Sequence, residues 1–158
     1  MTWDTQEWRT VRDTKLREWF LGNDHAVRVC VQISHIAEVW DDLVDGDRKP
    51  TDGEVAHAFQ SAMIHLQTNP FYMANHGMLM GVIVVAINAW HDANVMQESE
   101  SGDERMQAFF LRNLGCEVAT LCAFLVGGFD HMRKISLEMR AFFRHESYYE
   151  WEHRHVAV

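Results

Sequence analysis

The stretch HIAEVWDDLVDGDRKPT, His35–Thr51, decides how the chain is read, because it closes one helix and opens the next. Placed at about 100° per residue, Val29, Ile33, Ile36, Ala37, Trp40, Leu43 and Val44 share one arc, and Glu38, Asp41, Asp42 and Asp45 share another. This periodicity predicts an amphipathic helix running from a cap at Asn23 or Asp24 to about Asp45, with its apolar arc toward a core. Gly46 suits the left-handed position that ends a helix. Thr51-Asp-Gly-Glu54 has the pattern of a capping box, in which hydroxyl and carboxylate satisfy each other's orphan amides. A further helix is therefore expected from Thr51 to about Gln67.

Upstream of this stretch, a helix over about residues 6–21 stops at Gly22. Downstream, TNPFY interrupts the pattern, and the apolar run GMLMGVIVVAINAW sits in a helix from about Met78 to Met96. Ser101-Gly-Asp-Glu104 repeats the capping pattern and opens a helix to about Val126, which GGFD breaks before a sixth begins near Asp130. The tail ESYYEWEHRHVAV is assigned no element. No useful alternation of period two occurs, and 158 residues fit one domain. The expectation is an all-α fold, a single-domain helical bundle of about six helices over residues 1–158.

Composition narrows the function classes. A formal charge of -9 disfavours nucleic acid and anionic membranes, both of which select basic patches, and suits a divalent cation or a substrate that brings one. Cys30, Cys116 and Cys122 form no CxxC pair, so buried free thiols in a reducing compartment are expected. The N-terminal MTWDTQEWRTVRD lacks the basic start and apolar centre of a signal peptide. The apolar run, about 14 residues long and containing Asn88, is shorter than a bilayer span. A cytoplasmic location, without a membrane partner, follows as the expectation.

The acidic helix end stands out on electrostatic grounds. A helix C-terminus carries partial negative charge, yet four carboxylates crowd its last two turns. Repulsion between acids three or four residues apart costs about 0.2–0.5 kcal/mol per pair. Val27 and Val31 continue the acidic arc upstream, which predicts that this side is covered as well. A bound Mg²⁺ or Mn²⁺ would balance the charge, held by i,i+4 carboxylates such as Asp41 with Asp45 or Glu38 with Asp42. His35, one turn upstream, would be a ligand or would orient a carboxylate. The other reading is a solvated face neutralised by Arg48 and Lys49.

DDLVDGDRKPT resembles the first aspartate-rich motif of trans-prenyltransferases and other class I terpenoid synthases, with Asp41, Asp42 and Asp45 matching DDxxD. That resemblance implies an all-α enzyme whose aspartates hold Mg²⁺ against the diphosphate of an allylic substrate. Glu38-Val-Trp-Asp41 is similar to the ExxD pairs of small all-α nucleotide pyrophosphohydrolases of the MazG type, which also work through Mg²⁺. The layout of WDDLVDGD, NPFY, NAWHDAN and GG resembles a group of uncharacterised bacteriophage proteins, which implies residence in a host cytoplasm.

Further candidates lie elsewhere in the chain. Asn88, in a helix apolar nearly all round, is expected to be buried and to need a partner, either orienting a ligand or bonding a neighbouring helix. His91-Asp92 with His65 and Asp130 fits a phosphohydrolase of the HD type. Glu117, Asn113 and Thr120 share one side of a helix, and Glu150 with His153 has ExxH spacing.

Two functions are expected. In the first, Glu38, Asp41, Asp42, Asp45 and His35 hold Mg²⁺ or Mn²⁺, with Glu38 and Asp42 as the catalytic pair. Arg48, Lys49 and Asn88 would steady a small diphosphate-bearing substrate, and a homodimer could complete the site. In the second, a phage-encoded, non-catalytic protein presents its acidic surface to a basic site on a host protein.

Overall fold

A computed structural model describes residues 6–46, 48–144 and 146–156, and all of its regular elements are helical. They are α1 (Gln6–Trp19), α2 (Asp24–Asp45), α3 (Asp52–Gln60) with a π-helical turn (Ser61–His65), α4 (Pro70–Met96), α5 (Gly102–Arg112) with a 3-10 turn (Asn113–Gly115), α6 (Cys116–Phe143) and α7 (Tyr148–Val156). The all-α expectation holds. By contacts the chain divides into two compact units. One takes the residues up to His76 with Leu125–Gly128, and the other takes Gly77–Phe124 with the residues from Phe129 onward.

In the first unit the sequence signals act where they stand. The Asn23 side chain accepts from the amides of His25 and Ala26 and starts α2, and Gly46 ends it at φ 75°, its amide bonded to the Asp42 carbonyl. The Thr51 box forms as expected. Its amide donates to Glu54 Oε2 at 2.7 Å, and the Glu54 amide donates to the Thr51 hydroxyl at 3.2 Å. α1 buries Trp8, Leu16 and Trp19 at helical spacing and packs on α2, which buries Ala26, Val27, Val29, Cys30 and Val39. Each large side chain removed from water stabilises the unit by about 1.5–3 kcal/mol.

Two boundaries differ from the sequence reading. Pro70 opens α4 instead of breaking the chain: Asn69 Oδ1 accepts from the Phe71 and Tyr72 amides, so Asn69 is the cap and Pro70 takes the first helical position, where no amide is needed. The start thus moves from Met78 to Pro70, with a kink at Asn75 (φ −120°, ψ 16°). The helix expected from Ser101 to Val126 is interrupted by the 3-10 turn at Asn113–Gly115.

α6 reverses at Gly128, whose φ of 79° and ψ of −178° suit glycine alone. The reversal brings Arg140 back to Glu117 and to within 3.7 Å of Cys116 Sγ. The aromatic tail, unassigned from sequence, forms α7 and completes a core of Ala93, Ala108, Phe109 and Trp151. Ser147 and Glu150 cap it with a second reciprocal box.

The apolar arc of α2 is only partly a core stripe. Val29 is buried and Ile33 and Ile36 are half-buried, but Ala37, Trp40, Leu43 and Val44 face solvent. α3 and the π-turn lie against α2; Gln32, His35 and Val39 share one side of it and are buried or half-buried, Leu43 continues that side one turn later and is exposed, and Val44 is turned away from it. α4 is long and apolar enough by length and composition to cross a membrane, with a mean hydropathy of 1.5 and 11% of that window buried.

Candidate functional site: a histidine cleft beside the acidic helix end

The last turns of α2 carry Glu38 and Asp45 on the surface and Asp41 and Asp42 half-buried; Asp47 lies outside the described residues. Arg48 takes the role of counter-ion. Its Nε and Nη2 donate to Asp42 Oδ2 at 2.9 and 2.5 Å, and its Nη1 donates to Glu54 Oε1 at 2.9 Å. One guanidinium thus ties the end of α2 to the first turn of α3. The two carboxylates raise the Arg48 pKa further, Asp42 contributing most. The Glu54 carboxyl is held down to about 2, first by the Thr51 amide, then by the Thr51 hydroxyl and Arg48.

Among the described residues, no group of three or more His, Cys, Asp or Glu side chains is placed to hold a metal ion. Glu38, Asp41, Asp42, Asp45 and His35 are not drawn into such a group. Asp42 is engaged by Arg48, and the His35 ring lies 4.8 Å from that of His57 on α3. Lys49 is exposed.

His35 belongs instead to a polar seam within the first unit. On α2, His25, Arg28, Gln32 and His35 recur at spacings of three, four and three, which keeps them on one side of the helix. On α3 and the π-turn, His57, Ser61 and His65 recur every four residues. The rings of His35 and His57 are 4.8 Å apart and those of His57 and His65 are 6.0 Å apart. Ser61, fully buried, approaches His65 Nδ1 at 3.4 Å. The π-turn allows this: its extra residue per turn holds Ser61 and His65 in a wider coil, bonded from the Leu66 amide to the Ser61 carbonyl.

An open cleft of about 380 Å³ lies at one end of the seam, lined by His25, Arg28, Gln32, His65, Thr68, Asn69 and Pro70. No carboxylate is among them, in a chain of formal charge -9. Arg28 Nη2 bonds His25 Nδ1 at 2.7 Å. A guanidinium only donates, so Nδ1 accepts and the neutral ring carries its proton on Nε2. Asn69 Nδ2 donates to the His25 carbonyl at 3.0 Å, fixing the start of α4 against the start of α2. Two polar atoms of the seam are buried and unbonded, Gln32 Oε1 and His35 Nε2. Leaving such a group unmet costs about 1–3 kcal/mol, and Gln32, which lines the cleft, is where a ligand gains by binding. The Gln32 amide can present its NH₂ there by a half-turn.

No known protein family, curated protein or solved structure matches the chain.

The remaining candidates have local roles. Asn88 is exposed, not buried, because it lies away from the side of α4 that buries Leu79, Ala89 and Ala93; its Nδ2 donates to Asp92 Oδ2 at 2.9 Å. Glu117 pairs with Arg140, and Thr120 Oγ1 donates to the Cys116 carbonyl. Asn113 bonds the Phe109 carbonyl at 2.8 Å. Glu150 caps α7 and His153 stacks on Tyr149 at 3.8 Å. His65 lines the cleft in the first unit, while His91, Asp92 and Asp130 belong to the second. The seam itself was visible in the sequence as HxxRxxxQxxH followed by HxxxSxxxH.

Proposed function

We propose that the first unit binds a small phosphate-bearing anion in the cleft of His25, Arg28, Gln32 and His65. The observation that carries this reading is Gln32 Oε1, buried and unbonded on a wall that holds a guanidinium and two imidazoles but no carboxylate. Arg28 supplies a fixed positive charge and a fork matched to phosphate oxygens. The Nε2–H of His25, the His65 ring and a turned Gln32 amide add neutral donors. The diphosphate class anticipated from DDxxD is retained, with the anion placed at the histidines and Asp42 serving the α2–α3 junction through Arg48. Binding is the activity proposed; Ser61, whose hydroxyl meets the His65 ring, is fully buried and is no nucleophile for a bound substrate.

The test is a thermal melt with millimolar inorganic pyrophosphate, with and without Mg²⁺. A ligand of the folded state raises Tm by linkage. Stabilisation without Mg²⁺ that Arg28→Met removes supports the cleft. Stabilisation that needs Mg²⁺ and is lost in Asp41→Asn or Asp45→Asn assigns the anion to the aspartate motif instead.

A second reading is favoured by Leu43 and Val44, exposed at 58% and 57% beside the acids of α2. An apolar centre with an acidic rim suits a basic amphipathic segment of another protein, the charges setting orientation and the apolar pair the affinity. Salt-sensitive binding of a labelled basic amphipathic peptide, lost in Leu43→Glu, is its expected signature; unaltered binding by that variant removes it.

A further inference from the structure

From Gly77 to Val95, α4 presents one continuous side to solvent. Set at about 100° per residue, Ile87, His91, Val84, Gly77, Val95, Asn88, Gly81, Asp92, Val85 and Met78 fall in that order across roughly half the helix, and each is exposed. The opposite side buries Leu79, Ala89 and Ala93. Exposure reaches 57% at Val84, 62% at Val85 and 75% at Val95. Gly77, Gly81, Val84, Asn88, His91 and Val95 are spaced four, three, four, three and four, the repeat by which one helix follows another. A Cβ built on Gly77 or Gly81 would meet nothing within 4 Å, so neither glycine is required by packing inside the chain.

We infer that this side of α4 is the contact surface for a second copy of the chain, packed antiparallel about a two-fold axis near Val84. Three observations select that occupant. First, the side is complementary to its own reverse. With the axis at Val84, Gly81 of one copy lies across from Asn88 of the other and Gly77 lies across from His91, so the slender end of each helix receives the bulky end of its mate. Second, the one carboxylate on the side, Asp92, sets the direction. A parallel pair would place both Asp92 carboxylates together, whereas the antiparallel pair separates them along the axis by roughly 24 Å at the helical rise. Third, the area suffices: Met78, Val84, Val85, Ile87 and Val95 together expose roughly 500 Å² per copy, so a pair buries on the order of 1,000 Å², the least that a specific interface needs.

A lipid bilayer is the competing occupant, and the polar residues count against it. Only Gly77–Ile87 separates exposed His76 from exposed Asn88. That segment is roughly 16 Å of helix against a hydrocarbon core of about 30 Å, and Asn88, His91 and Asp92 would all face the tails.

Sedimentation of the purified full chain, together with oxidative cross-linking of single-cysteine additions, tests the inference. The expected results are a concentration-dependent dimer, near-complete disulfide-linked dimer for Val84→Cys, and little for Asp92→Cys beyond the background of Cys30, Cys116 and Cys122. Val84→Glu should sediment as a monomer with unchanged helical circular dichroism. If that variant misfolds, the near-isosteric Val84→Cys decides alone. A monomer at all concentrations overturns the inference, as does a chain that stays in solution only with detergent and partitions into neutral phosphatidylcholine vesicles. A dimer that Val84→Cys fails to cross-link places the contact elsewhere, and efficient cross-linking of Asp92→Cys makes the pair parallel.

Discussion

Arg48 and Asp42 are joined by two hydrogen bonds from one guanidinium to a single carboxylate oxygen, with Glu54 on the third nitrogen. The arrangement turns an acidic helix end, unfavourable in isolation, into a clamp between α2 and α3. Because the side chains are 47%, 21% and 32% exposed, solvent screens the pairs. Arg48→Ala is expected to cost about 1 kcal/mol, or 2–4 °C in Tm. Asp42→Asn should cost less, and 1 M NaCl should shrink the difference, as read by denaturant melts of each variant.

The capping box gives the protein an acid limit. Glu54 is depressed to about 2 from an ordinary value of 4.5. A carboxyl with a lowered folded pKa contributes stability above its unfolded pKa and loses it as pH falls through the folded one. Wild-type Tm should therefore decline between about pH 4.5 and 2, and Glu54→Gln should flatten that part of the profile while starting from a lower Tm. In α7, Glu150 and Glu152 are lowered as well, Glu150 by the Ser147 amide and Glu152 chiefly by the Tyr148 hydroxyl, and they act in the same direction.

Gly128 is the pivot of α6. At φ 79° and ψ −178° a side chain is strained whatever the space around it, so Gly128→Ala should destabilise by about 1–3 kcal/mol. Gly127, which has no positive φ, should tolerate alanine much better. Paired urea titrations of the two variants measure the contrast.

Cys116 sits where α6 returns on itself. Burial pushes its thiol pKa up and the Glu117 carboxylate adds to that, while Arg140 opposes it. Thiolate is the reactive form, so maleimide labelling of Cys116 near neutral pH should be slow and should accelerate in Glu117→Gln.

Much of the fold was legible because caps and breakers act locally. Asn23, Gly46, Thr51 with Glu54, and the GG pair each carry their structural instruction in their own chemistry. Pro70 misled because proline marks both the end of one pattern and the first position of a helix, and only the bond from Asn69 to the following amides tells them apart. Trp40, Leu43 and Val44 misled because periodicity locates an apolar side without saying what covers it. Of the site, the aspartates drew the reading because clustered charge is conspicuous, yet Asp42 is taken by Arg48. His25, Arg28 and Gln32 were overlooked because polar residues at helical spacing look solvated, and His35 was grouped with the aspartates instead of with them. Their significance emerges only when His57 and His65 arrive from another helix.

Calorimetric titration of inorganic pyrophosphate into Mg²⁺-free protein tests the central claim most directly. Arg28→Met removes a charge-assisted bond, so affinity should fall about tenfold or more, while Asp42→Asn should bind as wild type. Wild-type protein that binds no pyrophosphate, or a ligand affinity that Arg28→Met leaves intact and Asp42→Asn abolishes, would contradict the account.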